Sequence, residues 1–475
     1  MLVVPPSAAV FGSPEAAHGL LVAGEGATVS RRGALASLRR GELGNALVNG
    51  GLPKGKPRIS LSRRPAQVTF YVALPPPGKH HNVVRYPIAV VGPGYHGLLT
   101  STATHLDGLI SIADVSPSVL ALETGKRPRI RSRASPDPVG YLRRFDERLT
   151  RAHASRTGAT LVLVGLMTVL GLLALGVRRP WLGRAAFLAA PACLVVAVVL
   201  SAVGLTRLWQ VLVVLALAAS ALALAGGALL RPRLTLAAAL AAVFAFLYAV
   251  MWAKPLWNSL AALGPRPDGG GRFYGVNNQV STLLLAPALV LGTFAGPALP
   301  AIALLVIAGM AASFIGAQSD GLVVYLAGFL VLAVRTRGER PGPARAAAAV
   351  AVAVAAALAL VAIDAAFGGS SHITHALGGG PGTLAGDLAH RIHLSAAYVV
   401  SRWNETLLFF LSVAALVWLA LQRPRLPVLD ALLVALAVSL LVNDTPTDIA
   451  GLGFLSAAVL WVWLARSGER ADALD

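Results

Sequence analysis

Long apolar runs separated by short polar breaks constrain this chain more than any other feature. They are centred near Gly165, Val195, Ala216, Ala242, Ala288, Ile307, Gly328, Ala355, Val413, Val434 and Ala457. Each approaches the ~20 residues that an α-helix needs to cross a hydrocarbon core. The expected fold class is an α-helical polytopic membrane protein with about eleven transmembrane helices, preceded by a small α/β domain. The least distinct break is AGPALP, between the fifth and sixth runs. Composition points the same way, since the 475 residues are 56% hydrophobic and only 13% charged, with a mean hydropathy of +0.70, outside the range of a soluble domain.

The charge is unevenly spread. Residues 1–157 hold roughly half of the Lys and Arg and read as a polar domain with a basic linker helix; 158–467 read as the multipass region and 468–475 as a tail. A formal net charge of +19 raises nucleic acid as a partner. The basic residues, however, fall in loops and interfacial positions without interleaved aromatics, which argues against it. The expected partner is the bilayer, with anionic lipid or a lipid-linked envelope precursor as a further one. Cys193 is the only cysteine, so neither an intrachain disulfide nor a thiolate metal cluster is available.

Loop charge sets the expected orientation. Arg178, Arg179, Arg184, Arg231, Arg233, Arg335, Arg337, Arg340, Arg345, Arg423 and Arg425, with Arg466 and Arg470 of the tail, all fall on one side. By the positive-inside rule that side is the cytoplasm, which leaves the N-terminal domain outside the cell membrane. An outside domain needs a targeting signal or a preceding span. MLVVPPSAAVFGSPEAAHG has no basic n-region and only a short, proline-broken apolar stretch. The expectation is therefore a start further upstream, or else the opposite orientation.

This topology gathers three polar stretches on the outer side: GRFYGVNNQ before the fifth run, QSD before the seventh and NDTPTD before the last. Polar side chains at membrane depth generally face a cavity or a partner. The candidate substrate-binding residues are accordingly Arg272, Tyr274, Asn277, Asn278, Gln279, Gln318 and Asn443. Arg272 offers a forked guanidinium to phosphate. Asp320, Asp444 and Asp448, with Arg272, are the candidates for base, cation ligand or other catalytic work. Interfacial loops also contain such residues with no ligand to bind, and that plain reading stands beside the functional one.

Residues 365–404 read as a long outer loop. Its first half is glycine-rich, and Leu384, Leu388, Ile392, Ser395 and Val399 recur at helical spacing in its second half, predicting an amphipathic helix at the membrane surface. His372 with His375, and His390 with His393, have the i, i+3 spacing of a metal pair, with interfacial histidines as the competing reading. The sequence leaves any cofactor open.

In the polar domain, AQVTFYVAL and RYPIAVVGPG read as strands, and a helix opened by Asp114 or Ser116 follows. The stretch RYPIAVVGPGYHG…GLISIADVSPSVLALETG resembles the late part of the alkaline phosphatase and sulfatase superfamily, over roughly a quarter of the chain. The resemblance implies a phosphatase-like domain with Ser30 at the nucleophile's place. PPPGKHH stands where the superfamily carries a metal-binding Asp-His-Gly turn, so the implied domain is degenerate, a pseudoenzyme lacking its metal ligands. The whole arrangement resembles multipass membrane proteins of Gram-positive, actinobacterial-type bacteria, in which the first motif often reads RFYG.GNE; Gln279 replaces that carboxylate here. The expected function is work at the outer face of the cytoplasmic membrane in cell-envelope biogenesis, on a phosphorylated or lipid-linked substrate. A transporter or flippase, and a noncatalytic membrane scaffold or polymer-binding protein, are the alternatives.

Overall fold

The computed structural model describes residues 15–24, 28–43, 56–61, 66–269, 272–336, 355, 403–423, 425–443 and 445–466. The run centred on Ala355, the amphipathic segment and the tail 468–475 lie outside the described residues, 355 itself excepted. So do the four histidines considered for a metal, His372, His375, His390 and His393. The chain divides into two compact units.

The first unit comprises Met1–Arg156, Thr206–Leu208 and Pro255–Tyr274. Its strands are β1 (Ala16–Val22), β2 (Thr28–Ser30), β3 (Thr69–Val72), β4 (Lys79–His81), β5 (Tyr86–Val91), β6 (Gly97–Ser101), β7 (Leu109–Ser111) and β8 (Ile130–Arg133). The main sheet runs β3-β5-β1-β6-β8, and β7 also pairs with β1. β5 lies antiparallel to β1, with Ala16 opposite Val91. β6 and β7 are both parallel to β1 at different points along it, Ala17 facing Gly97 and Leu20 facing Leu109. A strand that pairs on both edges is buried on both, and β1 is almost entirely apolar, AAHGLLV.

Helices α1 (Arg31–Arg40) and α2 (Val115–Glu123) accompany the sheet, and Leu21, Phe70, Ile88, Leu99, Ile110, Ile112, Val115 and Ile130 form its core. Ser30 serves as the N-cap of α1, its hydroxyl accepting from Gly33 N at 3.1 Å. Asp114 occupies the N-cap position of the following helix, as its sequence suggests, but makes no side-chain capping bond, and Ser116 lies inside the first turn. Ser111 instead caps a 3₁₀ turn (Ile112–Asp114) that leads into α2. Asp114 is turned inward, where it accepts from the Ser101 hydroxyl and pairs with Arg129 at 3.6 Å.

Burial, partly offset by Ser101 and Arg129, holds the Asp114 carboxyl above its ordinary range. A raised carboxyl keeps its proton longer in the folded state than in the unfolded one. Its stabilising contribution is complete below the unfolded value, about pH 4, and is lost as pH rises through the folded value. Asp114→Asn is expected to gain stability relative to wild type as pH rises from about 4, read as the difference between their unfolding midpoints. A pH-independent difference would refute this.

A second core in the same unit joins Val22, Leu106, Leu109, Phe145 and Leu149 to Leu260 and Phe273. Phe145 and Leu149 belong to the long helix α3 (Pro138–Val177). Arg85, just before β5, anchors that helix by donating to Asp146 Oδ1 and Thr150 Oγ1, each at 2.7 Å.

The second unit is helical: the apolar half of α3, then α4 (Pro180–Ala202), α5 (Leu208–Leu229) and α6 (Arg233–Ala253). After the short α7 (Pro255–Ser259) of the first unit come α8 (Asn278–Phe294), α9 (Leu299–Ala311), α10 (Ser319–Thr336), α11 (Trp403–Leu421), α12 (Pro427–Val442) and α13 (Pro446–Trp461). Among the described residues, α3, α4, α5, α6, α11 and α13 with its π-helical extension are long and apolar enough to cross a membrane. α8, α9 and α12 are apolar and shorter. The outward faces of α5, α6 and α11 display Leu217, Leu222, Trp252, Phe410 and Leu411, as contact with lipid tails requires. α4 is the most enclosed of the six. Gly227 of α5 permits its close approach, since a Cβ there would lie 2.4 Å from Trp181 O. Arg335, in the last turn of α10, meets Asp430, in the first turn of α12, at 2.7 Å, each charge complementing the dipole of its own helix.

Candidate functional site

The second unit brings together residues from all three polar stretches singled out in the sequence, through the starts of α8, α10 and α13. The approach to α8 is fixed by backbone. Gly275 takes a left-handed φ of 79°, and Val276 N donates to Gly316 O at 2.7 Å. Residues 312–318 form a tight turn after α9, with Gly316 N on Gly309 O at 3.1 Å and Gln318 N on Met310 O at 2.9 Å. This lays the entry to α8 beside the entry to α10. Asn277 then opens α8, its Oδ1 accepting from Val280 N at 2.8 Å.

From these entries the amides reach across. Gln318 Nε2 donates to Asn278 Oδ1 at 2.7 Å, and Asn278 Nδ2 donates to Thr445 Oγ1 at 3.0 Å. Gln279 Nε2 donates to Asp448 Oδ2 at 3.2 Å. Thr445 occupies the N-cap position of α13 without making the usual side-chain capping bond. A hydroxyl at that position normally receives an N–H of its own helix; here it is engaged by Asn278. Gln318 is fully buried and Thr447 is 3% exposed. The Gln318 Oε1 and Thr447 Oγ1 atoms lack hydrogen-bond partners among the described residues. Buried polar atoms in that condition are uncommon in native proteins.

Asp320 and Asp448 lie in the first turns of α10 and α13, where the helix dipole favours a carboxylate. Asn443 turns back onto its own helix, donating to Ser439 Oγ at 2.8 Å. Asp444 lies outside the described residues. Arg272 and Tyr274 fall in the first unit. There Phe273 enters the second core, and the Tyr274 ring lies 4.4 Å from that of His105. The stretch GRFYGVNNQ is thus divided between two jobs, aromatic packing in its first half and the amide network in its second.

Thr445 and Thr447 carry no ligand-binding motif in sequence, although a Thr-Pro pair followed by an acidic residue is a helix-start signal. His153, Arg156 and Asp268 of the first unit are likewise part of no motif. His153 and Arg156 are one turn apart on the polar half of α3, the one cue available. No group of three or more His, Cys, Asp or Glu suited to a metal occurs among the described residues.

These features define a membrane protein, mostly helical, with a small sheet-bearing N-terminal unit and bilayer contact through its apolar helices. No family model, curated protein or solved structure matches the chain.

Proposed function

We propose that the chain works at the outer face of the cytoplasmic membrane in cell-envelope biogenesis, binding a phosphorylated or lipid-linked substrate. The observation that carries this reading is the meeting of three helix starts in one amide network. A helix N-terminus carries about half a positive charge, a setting that favours phosphate, and Thr445 leaves the start of α13 without a side-chain cap. Asn278, Gln279, Gln318 and Thr445 would orient the group, and Asp448 would limit how much negative charge the site accepts. About eleven spans, with the N-terminal unit outside and the C-terminus inside, fit the loop arginines. The first unit also takes in the segments that follow α4 and α6, which this topology assigns to the same side as the N-terminal residues. The phosphatase-like ancestry of that unit is part of the proposal, with metal-dependent cleavage lost. A flippase is the second reading, favoured by the short helices α8, α9 and α12, since transporters build midplane sites from interrupted helices.

The test uses the full chain in detergent with a polyprenyl monophosphate and the matching polyprenol. The phosphate lipid is expected to raise the unfolding midpoint where the alcohol does not, and Asn278→Leu is expected to weaken its binding about tenfold, the loss of one good hydrogen bond to a charged group. Equal effects of the two lipids would sink the phosphate reading. Movement of a labelled polyprenyl phosphate across proteoliposomes would transfer support to the flippase.

A further inference from the structure

The first unit contains a second polar centre, separate from the amide network and independent of the function proposed for it. α3 sets His153 and Arg156 three residues apart, and both reach one carboxylate, that of Asp268 in the loop after α7. Asp268 is 2% exposed. Its Oδ2 lies 2.5 Å from His153 Nδ1 and its Oδ1 3.2 Å from Arg156 Nη2. Burial raises the Asp268 carboxyl, but the hydrogen bond from His153 and the charge of Arg156 outweigh it, and the group is held below its ordinary range. An ionised carboxylate only accepts, so His153 Nδ1 carries the proton and donates it. The remaining ring nitrogen, Nε2, is then an unprotonated acceptor whenever the ring is neutral.

A loop clamp would account for Arg156 without His153. Arg156 balances the carboxylate's charge and also donates from Nη1 to Gly264 O at 2.9 Å. Asn82 Nδ2 ties the same loop down through Gly269 O at 2.8 Å. Pro265 and Pro267 stiffen the loop between these anchors. His153 adds nothing that charge balance demands, and its side chain is 45% exposed. Its Nε2 makes no hydrogen bond to any described residue. A buried carboxylate fixing the tautomer of a half-exposed imidazole is the arrangement that makes histidine an effective proton acceptor.

We propose that His153 is an acid–base residue, oriented by Asp268, which accepts a proton at Nε2 from water or an alcohol hydroxyl bound at the surface of the first unit. In the step, the O–H bond breaks, an Nε2–H bond forms and the oxygen keeps the electron pair. The resulting imidazolium is stabilised by Asp268 and returns its proton when the oxygen has reacted or is released. The charged groups acting on Asp268 are His153 and Arg156.

Residue-resolved modification of the full chain by diethyl pyrocarbonate tests this, because the reagent acylates an unprotonated ring nitrogen. At about pH 8.5, some two units above the ordinary histidine value, ring protonation no longer decides the rate, and there His153 is expected to react faster than His81 and His96, which are also exposed. Asp268→Asn is expected to slow His153 on the order of tenfold, leaving His81 and His96 unchanged. Buried His18, 2% exposed in the native fold, reports unfolding of the variant by becoming reactive. Slower reaction of His153 than of both controls in the wild type overturns the proposal, whatever the variant does. An unchanged rate in a folded Asp268→Asn chain overturns it equally.

Discussion

Asp268→Asn is expected to lower the unfolding midpoint of the full chain at neutral pH by roughly 10 °C. The figure comes from about 3–5 kcal/mol for leaving a buried cation without its partner, at about 2–4 °C per kcal/mol for a unit of this size. The cation is Arg156, 5% exposed and paired with Asp268 at 3.2 Å. The asparagine oxygen can still accept one hydrogen bond, but it brings no charge. The pH dependence distinguishes this mechanism from simple loss of packing. A carboxyl depressed in the folded state contributes its stability above the ordinary carboxylate range and loses it as pH falls through the folded value. The gap between wild type and Asp268→Asn should therefore close in acid. A gap that persists unchanged from neutral pH to well below pH 4 would mean that the ion pair is not its source.

Gly275→Ala is expected to be at least as damaging, for a steric reason. A Cβ at Gly275 would stand 2.2 Å from Gly316 O, and that oxygen is the acceptor for Val276 N. The backbone φ of 79° adds about 1–2 kcal/mol of strain for any L-residue. Relief requires the two segments to part, which breaks the Val276 hydrogen bond at about 1–3 kcal/mol for a buried group left unpaired. It also separates the entries of α8 and α10. The variant should lose several kcal/mol of stability together with the polyprenyl phosphate effect, while Gly94→Ala, where φ is likewise positive at 84° but a Cβ meets nothing within 4 Å, should leave lipid binding intact. Folding and binding by Gly275→Ala like those of wild type would show that the close approach is dispensable.

Much of the helical architecture is readable from the sequence because a run of some 20 apolar residues has few other uses. The runs centred on Gly165, Val195, Ala216, Ala242, Val413 and Ala457 all fall in helices able to span. The runs at Ala288, Ile307 and Val434 are apolar helices cut shorter than their composition suggests. Hydropathy registers where polarity begins, whereas the start of α8 and the end of α9 are set by the backbone turns at 275–277 and 312–318. Side-chain partners were less accessible still. That Asn278 meets Thr445 across 167 positions follows from how helices pack, and a period of 3.6 carries no such information. The same holds for Asp268, which sits in a glycine- and proline-rich loop that local pattern assigns only to a turn.

The core that joins Val22, Leu109 and Phe145 to Leu260 and Phe273 also bears on the order of synthesis. A ribosome delivers β1 to β8 well before it delivers residues 255–274, with α4, α5 and α6 made in between. Until those later residues emerge, the nascent sheet carries an unfinished apolar face and Arg156 lacks the Asp268 carboxylate. The first unit thus begins first and is completed only after the apolar half of α3 and three further helices have been produced. Its folding is tied by contacts of long sequence separation to insertion of the segments between, and delay at that stage exposes sticky surface.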